Sequence, residues 1–392
     1  MKTNKIKSSY TINMTILRIV TYDSPGLLND ATIYKNAFKR YKYTVIIKKL
    51  HFHDKNISQS KTNQFCDINL FLETIGYVNY ASGVPTVYDV SAMFPSKINL
   101  FMPNHEIFFY QDGLKYIDYV LCKTKIAMDM FTSIAATSKF GYECIYTKFT
   151  TYIPHELRFY EKTIDKNVNL FVHLAGKSPF KNTNALLYTW IKHNGFTDID
   201  PDIKLVVTCY SSCLNKTVSM LKDDYKYDIK LESIPGRTDV KKIGNIVFYI
   251  TPAPMTEYTE LLRTANVAIC ISKMEGFGHY INEARYFGTY VISINYPPMN
   301  ELVINNVNGL LIDNYTKTLL NKDKRNYNYD VYGVTPDLDE LANKIIYCIK
   351  NKSALKDKSW TTRKMFFSDI KFFEKAIGEL VIELTRRLNI SN

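Results

Sequence analysis

Residues Asn266–Val303, NVAICISKMEGFGHYINEARYFGTYVISINYPPMNELV, divide into strand, loop, helix, strand and loop. Asn266–Ser272 is a short apolar run rich in β-branched residues, the composition of a strand buried on both faces. Lys273–His279 turns the chain with two glycines, Gly276 and Gly278. Tyr280–Phe287 has helical spacing, and Gly288 stands where a helix C-terminus favours a residue that tolerates positive φ. Tyr290–Asn295 is a second β-rich run. Glycines at the C-terminal end of a parallel strand mark the crevice where open α/β sheets bind ligands. The helix start offers free backbone N–H groups and a positive dipole end, a site for phosphate. Glu275 precedes the glycines and Glu283 lies eight positions on, so a phosphate at the helix start would have a carboxylate on either side. Carboxylates do not bind phosphate, but they accept hydrogen bonds from paired sugar hydroxyls.

The run Glu275-Gly-Phe-Gly-His-Tyr-Ile-Asn-Glu283 resembles the E-x7-E signature of retaining GT-B glycosyltransferases, in particular the GT4-like group (glycosyltransferase group 1). Pro297-Pro298-Met299-Asn300-Glu301-Leu302-Val303 resembles the P-x-x-E-[IL]-V segment that follows in that family. The resemblance implies that Glu275 contacts the donor sugar's hydroxyls, that Glu283 contacts the nucleotide ribose, and that Gly276, Phe277 and Gly278 meet the diphosphate. It extends a donor role to Glu301. It also implies two Rossmann-like domains facing across a cleft, with the last helix returning to the first domain.

Outward from this unit the chain alternates strands and helices in two halves, which fits that architecture independently. Val168–Leu174 is a strand, followed by Gly176, Lys177 and Lys181. These resemble the family's G-R-…-K-G loop, whose basic side chains hold the diphosphate, and two lysines there would stabilise a pyrophosphate leaving group. The family's nucleobase lies by the strand that ends in Tyr249, Ile250 and Thr251. In the first half, a strand over Ile12–Val20 leads to a turn at Tyr22–Leu27, with Asn29 or Asp30 capping a helix to Tyr41. Gly26 in that turn would face the donor. Asp67–Glu73 and Lys97–Met102 are strands whose C-terminal ends carry Glu73, Asn104, His105 and Glu106. Acids there lie near the cleft, so Glu73, Asn104 and Glu106 are acceptor-side candidates. His105 is a catalytic candidate because similar enzymes use a first-domain histidine near the sugar; an ordinary loop histidine fits the residues as well. The expected division is 1–155 for the acceptor-side domain, joined by a helix over about 368–392, and 156–367 for the nucleotide-sugar domain.

With 46% hydrophobic and 22% charged residues, the chain has the composition of a soluble globular protein. The abundance of Lys, Asn, Ile and Tyr with few glycines fits an AT-rich genome, such as that of a large DNA virus. A net charge of +12 leaves room for peripheral contact with an anionic membrane, glycan or nucleic acid. Seven scattered cysteines without CxxC spacing suit a reducing compartment, and no signal peptide or membrane span is apparent, so a cytoplasmic location is expected. Asp198-Ile199-Asp200 is the nearest approach to a metal-binding D-x-D, but it precedes a strand and so should lie away from the cleft. No metal and no cofactor are expected, only a nucleotide-sugar co-substrate, with UDP favoured, and an acceptor hydroxyl. A nucleotide-sugar epimerase of the same fold and a catalytically silent basic binding protein are the rival readings.

Overall fold

The alternating pattern becomes two large sheets, beside two two-stranded ones, in the computed structural model, which describes residues 15–50, 64–73, 75–79, 86–89, 94–108, 112–154, 165–250, 255–320 and 330–390. The first sheet has six strands in the order Thr44–Leu50, Ile16–Tyr22, Cys66–Glu73, Ser96–Pro103, Tyr119–Cys122 and Glu143–Tyr146, all parallel. The second has eight, ordered Glu232–Ile234, Arg237–Ile243, Ile246–Tyr249, Lys204–Cys209, Asn167–Gly176, Ala265–Cys270, Tyr290–Ile294 and Gly309–Ile312. Arg237–Ile243 pairs antiparallel with both of its neighbours, and the remaining pairings are parallel.

Each large sheet has a point within its parallel strands where the order reverses from one wing to the other. In the first sheet the reversal lies between Ile16–Tyr22 and Cys66–Glu73; in the second it lies between Asn167–Gly176 and Ala265–Cys270. Ligand crevices open at such reversals, beyond the strands' carboxyl ends. The loops found there are Asp23–Ser24 and Glu73 in one half, and Lys177–Lys181 and Lys273–Gly278 in the other.

The helix expected from Asn29 begins earlier. It spans Pro25–Lys39, with Ser24 in extended conformation before it and Pro25 in its first turn. Proline's fixed φ suits that place, and its missing N–H is one the helix leaves unbonded anyway. Gly26 therefore sits in a helical turn rather than a loop, and a Cβ there would meet nothing.

The final helix, Ser359–Ile390, has 32 residues and is about 48 Å long. Its first half lies on the second half of the chain: Asp369 accepts from Arg285 Nη2 at 2.7 Å in a buried pair. Its second half returns to the first sheet, where Glu374 pairs with Arg40, Glu383 accepts from Tyr119 Oη at 3.1 Å, and Arg387 donates to Glu143 at 2.7 Å. Phe149, fully buried, joins all three parts. Its ring lies 5.3 Å from Tyr34, 5.4 Å from Phe277 and 5.5 Å from Phe373. Aromatic clusters of this kind contribute both buried area and preferred edge-on geometry. The expected boundary at residue 155 lies outside the described residues.

Candidate active site

The central unit folds as its spacing predicts: strand Ala265–Cys270, loop, helix His279–Tyr286, strand Tyr290–Ile294. Gly288 has φ +73, as a helix-ending glycine should. Gly278 has φ +102, and a Cβ on it would crowd Ile281 and Leu302. Gly276 is required for another reason. A Cβ there would lie 2.6 Å from Glu106 Oε1 and 2.8 Å from Asn104 Oδ1, both on the opposite half of the chain. The glycine loop thus faces the first-sheet residues at van der Waals distance.

Glu275 is half-buried. It pairs with Lys181 and accepts from Ser272 Oγ, while Lys181 lies over the Tyr280 ring. Glu283 accepts from Tyr258 Oη at 2.6 Å. Burial and then the Glu283 charge raise the Tyr258 hydroxyl well above its ordinary pKa, so Tyr258 stays a donor. Gly176 has φ +56 at the end of its strand, and Lys177 beyond it is exposed with its ammonium 4.6 Å from the Tyr210 ring.

Opposite stands a polar chain that the sequence did not predict. Asp30 and Lys123 are both buried and bonded at 3.3 Å. Asp30 also meets His279 Nε2 at 2.8 Å, and His279 Nδ1 meets Thr151 Oγ1 at 3.1 Å. Lys123 donates to Asn104, whose Nδ2 donates to Glu73 at 3.3 Å. Burial pushes Asp30 up, but Lys123 and His279 outweigh it and leave its carboxyl below the usual value. Glu73 carries φ +71, uncommon for a residue with a side chain, and such strain gathers at functional sites. Burial raises Glu73 to about 6 and Glu106 to about 7, against the pull of Lys123. Burial and Lys123 together lower His105 to about 4, so its ring is neutral at neutral pH; its Nδ1 lies 3.6 Å from Glu106.

Glu275, Gly276, Phe277, Gly278, Gly26, Glu73, Asn104 and Glu106 line one cleft of about 210 Å³, together with Asp30, Lys123 and His279. His105 borders an adjoining cavity with Glu106 and Glu275. Four expected residues have partners within the protein. The Phe277 ring is 3% exposed and packs against Phe149 and His279, so only its backbone is available to a diphosphate. Both Glu301 oxygens accept backbone N–H groups across the cleft, from Lys125 at 2.7 Å and Ile126 at 3.1 Å. They cap the helix Lys125–Ser138. The Ile250 N–H is bonded to Asp239 O at 2.9 Å, and Tyr249 pairs with Val240 and Thr208 in the sheet. Thr251 lies outside the described residues. Asp200 lies before the strand Lys204–Cys209 and binds Lys352, and no cluster of metal-ligating side chains occurs among the described residues.

Residues 236–326 match the family model described as glycosyl transferases group 1. No curated protein matches the chain. Among solved structures, Anabaena Alr3699/HepE in complex with UDP is 13% identical, with 95% of this chain and 100% of that one covered at a TM-score of 0.58. A glycosyltransferase from Rickettsia africae is 14% identical, covering 96% and 99% at 0.60. Sucrose-phosphate synthase from Thermosynechococcus elongatus is 12% identical, covering 96% and 100% at 0.59. At these identities the likeness is one of fold, and the fold is GT-B. The glycosyltransferase class read from the sequence rests on that fold together with the matched segment, which bears Glu275, Glu283 and Glu301.

Proposed function

We propose that the protein moves a hexose-type sugar from a UDP-sugar to an acceptor hydroxyl, with retention of anomeric configuration and without a divalent metal. The observation that carries this reading is Glu275 and the glycine loop facing the polar chain of Asp30, Lys123, Asn104 and Glu73 across one cleft, with Glu283 on the helix that follows the loop. In this reading residues 156–367 hold the donor, and residues 1–155 with the final helix hold the acceptor. The helix start and Lys181 bind the diphosphate, supported by Lys177. Glu283 takes the ribose hydroxyls and Glu275 those of the sugar. The bond from sugar C1 to the diphosphate oxygen breaks, the acceptor oxygen bonds to C1, and the hydroxyl proton leaves with the nucleoside diphosphate. The chain's contribution is alignment and stabilisation of the leaving group's charge. The UDP bound to the Anabaena protein and the UDP-glucose bound in a second structure of it support the donor class. Seven free cysteines support a reducing, cytoplasmic setting; among the described residues no helix is long and apolar enough to cross a membrane.

The experiment is a panel of nucleotide hexoses, with and without glycoside acceptors, followed by NMR of the anomeric proton. Free UDP and a new glycoside with the donor's configuration support the proposal. An inverted product removes retention, and an altered sugar formed without an acceptor makes the protein an epimerase. Neither binding nor turnover of any nucleotide sugar returns the reading to a basic binding protein.

A further inference from the structure

Beside Glu275 a second cavity, of about 260 Å³, opens between the halves. Its lining is polar at Glu106, Glu275, Asp330 and His105, and apolar along a wall drawn from both halves. Ile126 and Met130, four apart and so on one face of helix Lys125–Ser138, meet Met274, Tyr296 and Tyr332 from the other half. Tyr332 stands on an antiparallel hairpin, Tyr315–Leu319 with Tyr332–Pro336. That hairpin is fixed to the glycine loop. Val334 N–H donates to Lys273 O at 2.7 Å, and Asn182 Nδ2 bridges Ile271 O and Val334 O at 2.8 Å each. The wall is therefore held in register with Glu275.

Among the described residues, the acidic and basic side chains that line this cavity are Glu106, Glu275, Asp330 and His105, whose ring burial keeps neutral. Burial raises Glu106 to about 7 and leaves it partly protonated at neutral pH. Three lysines near the site are engaged or exposed. Lys181 is on Glu275, Lys123 is on Asp30 and Asn104, and the exposed Lys317 lies across the Tyr296 ring at 5.3 Å. An anion entering here would meet like charge in a partly desolvated space, while a hydroxyl would find acceptors. The flat rings and methionines suit the C–H face of a sugar. The volume, just under the range of roughly 300–1,000 Å³ usual for small-molecule sites, suits one small group.

We propose that this cavity is the acceptor subsite and that its occupant is an uncharged glycosyl group. The ring lies on Met130 of the first half with Tyr296 and Tyr332 of the second closing over it, and the reacting hydroxyl is directed to Glu106. The chain's net charge of +12 is then not a guide to the acceptor, and nucleic acid and anionic glycans are excluded from this position. The inference rests on the proposed glycosyl transfer.

The test compares octyl glucoside with octyl glucuronide as acceptors for whichever UDP-hexose the protein hydrolyses. Wild type should favour the neutral glycoside by about tenfold or more in kcat/KM, since like-charge contacts cost several kcal/mol. Met130→Trp, which fills the cavity, and Tyr332→Ala, which removes the platform, should each raise the KM for octyl glucoside with UDP affinity by calorimetry retained as the fold control. Preference for the glucuronide, transfer to neither glycoside, or an unchanged KM in both variants overturns the subsite while leaving donor hydrolysis, and hence the broader reading, intact. Absence of donor binding and hydrolysis instead overturns both.

Discussion

Glu275 and Glu283 should separate when each is replaced and UDP binding is measured beside turnover. Under the proposed roles, Glu283→Ala removes charge-assisted hydrogen bonds to the ribose. Such a bond is worth about 1.5–3 kcal/mol, so the UDP dissociation constant should rise by roughly 10- to 150-fold. UDP-sugar should weaken equally, because both carry the ribose. Tyr258→Phe is the control for positioning: it removes the 2.6 Å hydrogen bond that orients Glu283 but keeps the carboxylate, and its loss should be smaller. Glu275→Gln should behave otherwise. In the structure its carboxylate holds Lys181, and a diphosphate must compete for that ammonium. A neutral glutamine releases the lysine, so UDP affinity should be unchanged or tighter while turnover falls by about a hundredfold, the contact being one that UDP alone never makes. Calorimetry with UDP and steady-state turnover on the same preparations decide the matter. Equal loss of UDP affinity in Glu275→Gln and Glu283→Ala would refute this division of labour, and full turnover in both would refute the site.

Three other outcomes are expected. Glu301→Ala should leave UDP affinity unchanged and lower turnover, because its oxygens hold the Lys125 and Ile126 N–H groups across the cleft; a loss of UDP affinity by calorimetry would restore it to the donor site. Glu106, facing Lys123, Glu73, Glu275 and His105, has its pKa raised to about 7 by burial. A raised carboxyl pKa contributes stability below the usual value of 4.5 that is lost as pH rises through about 7. Glu106→Gln should therefore gain on wild type by about 3 kcal/mol between pH 4.5 and 8 in urea unfolding, and a pH-independent difference would contradict this. Turnover should be indifferent to EDTA, and Asp200→Asn should change stability through Lys352 rather than activity; Mn²⁺-restored activity after chelation would show otherwise.

What the sequence disclosed and what it withheld follow from the range of the interactions involved. The unit Asn266–Val303 was legible because its strands, glycines and helix are local patterns, and the positive φ of Gly288 follows from its position at a helix end. Glu73, Asn104 and Glu106 were legible as groups at strand ends. Asp30, Lys123 and His279 were not: Asp30 and Lys123 are 93 residues apart, Asp30 and His279 are 249 apart, and each is an unremarkable polar residue until the halves meet. The backbone partners of Glu301 were out of reach for the same reason, since they lie 176 and 175 residues away. The hairpin Tyr315–Leu319/Tyr332–Pro336 escaped because short, partly polar strands carry little periodic signal. Helix Ser211–Tyr225 buries only Leu214, Thr217 and Leu221, too sparse a stripe to mark it.

The most direct measurement of the central claim is the product of a UDP-hexose reaction, read by anomeric NMR and by free UDP. The account predicts stoichiometric UDP and a glycoside that keeps the donor's anomeric configuration, with EDTA present, formed about a hundredfold more slowly by Glu275→Gln and diminished on Glu283→Ala. An intact donor after prolonged incubation with UDP bound, or a sugar altered at a ring carbon with no glycoside formed, would contradict it.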